Sequence, residues 1–558
     1  MITRARSLAA PAYALVLTLA VTAPLLGPGY LLLRDAVSTP RSYLTDAALG
    51  LTQAAPRALP QDVAVALASS LLDGGVVVKA LLILGLWLAG WGAAHLVSTV
   101  LPEAGLPGQC VAVTVAVWNP YVAERLLQGH WSLLVGYGAL PWVAATVLSL
   151  RTGGSAGVAA LLFWLALAGL TPTGLMLAAT IAVACAAAPG AGRSRRFCVL
   201  LSLAGSATAA LPWLVASAVG WAPDVDQGSA VTAFAARAEP GLGTLGSLAG
   251  LAGIWNADAV PATRTTAFAV LATLALLVVV GAGLPVLVRR RTVVPLLIVA
   301  ALAVVIPTLM ATGPGLAAVA ALLDAVPGLG VIRDGQKWVA LAMPAYALAG
   351  GAATITLRPR VPAIATAAVC CAAIIATLPD LVWGVGGRVH PVHYPPAWWA
   401  ASAVINADPA PVAVLPVDSM RQFAWAGTAP VLDPLPRWLR ADVLTTGDLS
   451  IGGRTVPGEG AHARDVQAML LAGATQAQLS AAGVGWVVAE GVAGAGANLS
   501  LPVAFRSDEL TVYRVGGSSS ASAHRDVALA AHGVWLAQLI GGLIGMALRR
   551  RRTRPAGS

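Results

Sequence analysis

About twelve apolar runs alternate with polar breaks along the chain, at 13–33, 76–96, 110–118, 131–150, 156–170, 175–188, 197–220, 267–288, 294–312, 338–357, 361–378 and 527–548. Most approach the roughly 20 residues that a helix needs to cross about 30 Å of hydrocarbon. The pattern predicts an α-helical polytopic membrane protein with about 12 transmembrane helices.

The breaks are of two kinds. Short ones carry arginine, at Arg151, at Arg193, Arg195 and Arg196, at Arg289, Arg290 and Arg291, and at Arg358 and Arg360; the chain also begins with Arg4 and Arg6 and ends in a basic tail at 549–558. Long ones, at 34–75, 221–265 and 313–336, carry few basic residues for their length. Because loops on the cytoplasmic side hold an excess of Lys and Arg, the long breaks are predicted to be outer loops, with both termini cytoplasmic and the chain multi-pass in the cell inner (plasma) membrane. Only the turn at 102–109 lacks arginine on the inner side, and a single miscounted span would invert every later cluster. The first run is too long for a signal peptide and residues 27–30 make a poor cleavage context, so it is expected to stay as a helix.

Within this scheme 1–379 forms the membrane domain and 380–526 is long enough to be a domain of its own. Apolar runs at 412–415 and 484–488 read as buried strands, and 465–471 and 475–482 as helices. A small extracytoplasmic α/β domain is therefore expected before the final helix, joined to it by a flexible linker at 516–522. Asn119-Pro120 is a good helix start, since Asn caps free amides and Pro needs no donor at the first position, so 119–130 should be a short outer helix.

Composition narrows the function classes. With 58% hydrophobic and 10% charged residues the chain is neither a soluble globule nor disordered. The net charge of +10 lies in scattered clusters rather than one patch, which argues against a nucleic-acid partner and for membrane lipids. Only two of the 34 basic residues are lysine, which suggests a GC-rich, bacterial genome. The five cysteines lie in or beside apolar runs and form no disulfide framework. Gly241–Gly246 matches a G-x-G-x-x-G pattern without a preceding strand, and His390 with His393 lack the further ligands a zinc site needs. Neither is assigned a function, and Asn498-Leu-Ser500 matters only in a glycosylating compartment.

What remains is a set of charged residues placed outside, near membrane depth: Arg34, Asp35, Lys79, Glu124, Arg125, His130, Arg237, Glu239, Arg333, Asp334 and Lys337. Asp35 follows the first run and would stand near lipid-borne phosphates, where an enzyme acting on a lipid-linked sugar needs its base. Arg34 and Asp35 are equally readable as a solvated pair ending a helix. Arg125, Arg333 and Lys337 run against the charge distribution elsewhere and call for anions such as phosphate, or else they pair with Glu124 and Asp334. Trp398 and Trp399, with Tyr394 and Trp425, could stack on sugar faces or, Trp425 apart, belong to an interfacial aromatic belt.

The segment Trp118-Asn-Pro-Tyr-Val-Ala-Glu-Arg-Leu-Leu-Gln-Gly-His-Trp131, with Gly136-Tyr-Gly-Ala-Leu-Pro141, the element Val331-Ile-Arg-Asp-Gly-Gln-Lys-Trp338 and the many-span layout ending in an outer domain, resembles GT-C-type membrane glycosyltransferases. More narrowly it resembles actinobacterial arabinofuranosyltransferase-like membrane proteins. The resemblance implies an outward-facing active site, a polyprenyl-phosphate sugar donor, a cell-envelope glycan or glycolipid acceptor, and a catalytic carboxylate in the first outer loop, which maps onto Asp35. Arg34, Glu124, Arg125, His130, Arg333, Lys337, Trp398 and Trp399 become the candidate substrate-binding residues. Many members carry paired acids where this chain has Arg34 and Asp35. No cofactor and no metal-binding residue is implied, and a divalent metal is left open. Two other classes fit the same residues: a lipid or glycan transporter, although its spans would usually hold ionisable groups, and a catalytically silent scaffold for envelope assembly.

Overall fold

The computed structural model describes residues 2–53, 58–220, 228–326, 329–416, 419–451, 454–491 and 499–552. The start of the expected 221–265 loop, Asn498 and the end of the basic tail lie outside the described residues.

The predicted apolar runs are helical: α1 (Ile2–Thr22), α3 (Gly74–Val100), α4 (Gly105–Val117), α6 (Trp131–Thr152), α7 (Val158–Ala168), α8 (Pro172–Ala186), α9 (Arg195–Val219), α12 (Phe268–Leu287), α13 (Val294–Met310), α15 (Met343–Thr356), α16 (Ala363–Ala376) and a last helix, Arg525–Arg552. Between them lie the short helices α2 (Gln61–Ala68), α5 (Pro120–Gln128), α10 (Gly228–Ala233), α11 (Gly243–Ala249) and α14 (Gly313–Ala325). Among the described residues seven helices are long and apolar enough to cross a membrane, or nine if the two bent pairs each count as one span. Of the expected twelve or so, seven to nine are supported on that measure. Helices α4, α7 and α8, with 13, 11 and 15 residues, fall short of the roughly 20 that hydrocarbon requires.

The first run departs most from expectation. The helix stops at Thr22 and passes into a 3-10 turn over Ala23–Leu26; Pro24 and Pro28 cannot donate to a continuing helix, and residues Tyr30–Leu33 become strand β1. Strand β2 (Ala36–Val37) folds back on it with Leu33 opposite Ala36. Arg34 and Asp35 are thus the two tip residues of a tight β-hairpin rather than the end of a helix. Lys79 of α3 holds the hairpin's base, donating from Nζ to the carbonyls of Gly27 at 2.7 Å and Gly29 at 2.8 Å.

Helix α6 is the centre of the bundle, buried from Trp131 to Arg151. It meets α3 through glycines: a Cβ on Gly138 would lie 2.1 Å from the Gly85 carbonyl oxygen, so only small residues allow these backbones to touch.

The second unit is a four-stranded sheet of order β10-β11-β9-β4, with β4 (Val412–Leu415) parallel to β9 (Trp486–Glu490), and β10 (Val503–Arg506) and β11 (Leu510–Arg514) antiparallel. Strand alternation builds two cores. Val412, Val414, Trp486 and Val488 face Trp398 and Ile405 of the helix Pro396–Ala407, while Ala413, Leu415, Val487 and Ala489 face Val466, Leu470 and Leu479 of the helices Ala461–Leu471 and Gln476–Ala481. The short β5 (Met420–Arg421) and β6 (Val431–Leu432) form a hairpin, β7 (Leu449–Ile451) pairs antiparallel with β8 (Arg454–Val456), and β3 (Pro391–Val392) adds to β1. Two of these segments reach the membrane unit's hairpin: β3 through β1, and β6 through the backbone of Arg34, whose N–H donates to Pro430 O at 3.0 Å while its carbonyl accepts from Leu432 N at 2.9 Å.

Candidate active site

Helix α5 builds the floor of the site. Asn119 accepts the Val122 amide at 3.1 Å and Pro120 occupies the first turn, so the helix starts where the sequence predicts. It ends at Gly129, whose φ of +83° suits glycine, and a Cβ there would lie 2.3 Å from both Ala36 N and Leu33 O. That missing side chain lets the hairpin tip settle on the helix C-terminus. Asp35 N donates to Gln128 O at 3.2 Å, and the Arg34 guanidinium donates to Leu127 O at 2.6 Å and to Asp258 O at 2.9 Å. A cation on the last carbonyls of a helix is favourable. Arg34 itself is buried with φ of +48°, at the tip position where a two-residue hairpin usually has glycine.

Asp35 is held by one oxygen. Its Oδ2 accepts from His130 Nε2 at 2.8 Å and from Gln128 Nε2 at 3.1 Å, and the Gln128 amide is oriented by Asn256, which donates to its Oε1 at 2.7 Å. The side chain remains 35% exposed. Burial works to raise the affinity of this carboxylate for a proton, but the His130 and Gln128 hydrogen bonds and the nearby Lys337 charge outweigh it and hold it below the usual range. Burial in turn holds His130 below its ordinary value, against the pull of Asp35 and with the help of Arg125 and Lys337.

Behind His130 stands a buried ion pair. Arg125 makes a bidentate bond to Asp334 at 3.0 and 3.2 Å and donates to Gln336 Oε1 and, at 3.0 Å, to His130 Nδ1. Although burial opposes it, Arg125 and then Lys337 hold the Asp334 carboxyl down at about 2. Lys337 Nζ lies 3.6 Å from Asp334 and is 23% exposed, which makes it the cation of this group turned towards solvent. Glu124, fully buried, accepts from Gly253 N at 3.1 Å, Ile254 N at 3.2 Å and Gln336 Nε2 at 2.9 Å. Burial and the neighbouring Glu239 push it up to about 8.

The structure therefore brings Asp35, Glu124, Arg125, His130 and Lys337 into one network and gives them different roles. Arg34, Glu124 and Arg125 are committed to buried partners. Arg333 lies with its guanidinium 4.3 Å above the Phe234 ring. Trp398 is buried among Tyr394, Phe423, Trp425 and Trp438, whereas Trp399 is 47% exposed and stands edge-on to Trp438 and Tyr30. Of the tryptophan pair, only Trp399 offers a surface to a sugar. Gln128 and Gln336 were missed. A signal existed for Gln128: Tyr121, Glu124, Arg125 and Gln128 recur at helical spacing and share one face of α5. No metal-ligand cluster of three acidic, histidine or cysteine side chains occurs among the described residues.

Fold and site together describe a helical membrane protein that carries a half-exposed carboxylate on a hairpin between its helix bundle and a small sheet domain. No family profile and no curated protein sequence matches the chain, but solved structures do. The cryo-EM structure of arabinofuranosyltransferase AftD from Mycobacteria is similar at a TM-score of 0.57 and 14% identity, over 92% of this chain and 40% of that one. Two classes of its R1389S mutant give TM-scores of 0.55 and 0.54 at 16% and 15% identity, over 91% and 92% of this chain and 41% of theirs. At such identity the likeness is one of fold, and the GT-C-type resemblance drawn from the sequence is met at that level. The chain spans about two fifths of the length of these structures.

Proposed function

We propose that the chain is a membrane glycosyltransferase of the cell envelope, which moves a sugar from a polyprenyl-phosphate donor to a glycan or glycolipid acceptor at the outer face of the plasma membrane. The observation that carries this reading is the half-exposed Asp35, pinned through Oδ2 beside a solvent-facing lysine, in a fold shared with an arabinofuranosyltransferase. Asp35 Oδ1 has no hydrogen-bond partner among the described residues and is the atom that takes the acceptor hydroxyl proton. The acceptor oxygen then bonds to the anomeric carbon as the bond from that carbon to the phosphate oxygen breaks. Polyprenyl phosphate leaves with its charge offset by Lys337 and Arg333, while Trp399 stacks on the sugar. Arg125 stays outside this clamp, because it is fully buried and both its Nη groups already serve Asp334, Gln336 and His130.

The test is transfer by purified protein from a panel of labelled polyprenyl-phosphate sugars. One of them should be used, and Asp35→Asn should lose about 10²–10⁴ in turnover while keeping donor binding. A folded Asp35→Asn protein with full turnover would remove Asp35 as the base; absence of both binding and transfer across the panel would favour a scaffold.

A further inference from the structure

The contacts of His130 define its protonation geometry. A guanidinium has no acceptor and keeps its protons, so the 3.0 Å contact from Arg125 Nη1 requires a lone pair on His130 Nδ1. The ring is therefore neutral with its hydrogen on Nε2, and that hydrogen points at Asp35 Oδ2, 2.8 Å away. Arg125 is held in place, since its Nη groups also donate to Asp334 and Gln336 in a site without exposure to solvent. His130 also sits between two rigid elements, directly after the left-handed Gly129 and directly before the buried helix α6.

We propose that His130 is a positioning residue, locked by Arg125 into the tautomer that can only donate to Asp35, and that it turns the Oδ1 edge of that carboxylate towards the acceptor hydroxyl. This inference rests on the reading of Asp35 as the base. It changes the role of His130 from a substrate contact to a support. It also bars His130 from taking the proton itself: Nδ1 is occupied by Arg125, and Nε2 already carries a hydrogen. The line Asp334, Arg125, His130, Asp35 is then a fixed chain of donors and acceptors in which the proton moves only at its solvent end.

The groups that face this pair are few. Asp35 meets His130 and Gln128, with Lys337 nearby and Arg34 beside it in the chain. His130 meets Asp35 and Arg125, with Lys337 and Asp334 nearby. Removing the Nε2 donor leaves Asp35 with the Gln128 hydrogen bond and the Lys337 and Arg34 charges, so Asp35 should take up a proton at higher pH.

The experiment compares His130→Leu and His130→Gln in the full chain. The leucine variant should lose about 10–100-fold in kcat, the scale of a misplaced catalytic group, with donor KM unchanged and the acidic limb of the pH profile moved to higher pH. The glutamine variant, whose amide can donate from a similar position, should recover most of the loss and return the limb. Infrared difference spectra against Asp35→Asn follow the Asp35 carboxylate in the folded protein without substrate, and its protonation should move up in pH in His130→Leu. An unmoved carboxylate titration would overturn the positioning role. So would a glutamine variant as inactive as Asp35→Asn, which would make the imidazole the proton acceptor. If Asp35→Asn is fully active, the base reading fails while the infrared titration still decides whether His130 holds Asp35.

Discussion

Replacing Arg125 with methionine removes a charge from a site that water does not reach, so it should act on the fold before it acts on a substrate. Methionine keeps much of the aliphatic volume. What it leaves behind is Asp334, buried, with Lys337 Nζ at 3.6 Å as its remaining ion-pair partner. Breaking a buried pair by removing one member costs about 3–5 kcal/mol. A second route to the magnitude uses Asp334 itself: held at about 2 in the folded protein against about 3.9 unfolded, its shift corresponds to about 2–3 kcal/mol. Both routes give a loss of several kcal/mol, large beside the stability of an ordinary domain. The sign with pH follows. Because the folded value is depressed, this contribution is present above about pH 4 and is lost as pH falls towards 2; in Arg125→Met that acid-labile part should disappear. Equilibrium unfolding in mixed micelles measures the loss, and the double variant Arg125→Met, Asp334→Asn should regain more than half of it, since no uncompensated buried carboxylate remains and Lys337 is partly exposed. An Arg125→Met protein within about 0.5 kcal/mol of the parent but unable to bind donor would refute the buried pair and return Arg125 to the phosphate clamp.

Lys337→Met should do the reverse: donor affinity falls by about 1.5–3 kcal/mol, the range for a charge-assisted hydrogen bond, while stability changes by less than about 1 kcal/mol because the ion pair is long and partly exposed; unchanged donor titrations would count against the clamp. Gly129→Ala combines a left-handed φ with a methyl 2.3 Å from two backbone atoms of the hairpin. It should cost at least about 1–2 kcal/mol and lower turnover by shifting Asp35, which unfolding and transfer assays would read separately. For topology, Ala477→Cys in the exposed helix Gln476–Ala481 should react with an impermeant maleimide on intact cells; reaction only after permeabilisation would place the sheet domain on the other side.

How much of this was legible in the sequence depends on how local each signal is. The helices of the bundle, the Asn119 cap and the strands at Val412–Leu415 and Trp486–Glu490 rest on periodicity and capping within a few residues, and they are found close to where they were expected. The end of the first run is not local in that sense. Residues Tyr30–Leu33 are apolar enough to prolong a helix, but Pro24 and Pro28 break it and β3, far along the chain, takes up the freed backbone. The expected span count goes beyond the seven to nine that helix length supports among the described residues for a related reason, since hydropathy reports apolar runs and not how long a helix each one forms. At the site, charge on the side expected to be outside drew attention to Arg125, His130 and Lys337, which the structure joins in one network through Asp334. It could not separate the buried Arg125 from the solvent-facing Lys337, because that difference is made by Asp334 and Gln336, more than 200 residues away from Arg125 in sequence.

The single acid at the hairpin tip, where the resemblance drawn from the sequence led to the expectation of a pair, has a physical reason in this chain. The side chain at position 34 points between two carbonyl oxygens, Leu127 O at the end of α5 and Asp258 O. A carboxylate there would be buried against acceptors with no proton to share, a costly arrangement. Arginine answers both carbonyls and the negative end of the helix at once. Its own backbone, at φ of +48°, carries strain of about 1–3 kcal/mol and is held by Pro430 O and Leu432 N of the sheet domain. Two units that fold from distant stretches thus grip one residue, and the next residue is Asp35. The sheet domain is in this sense part of the site: without its edge at Val431–Leu432 the turn is free to relax, and with the turn goes the direction in which Asp35 presents its free oxygen.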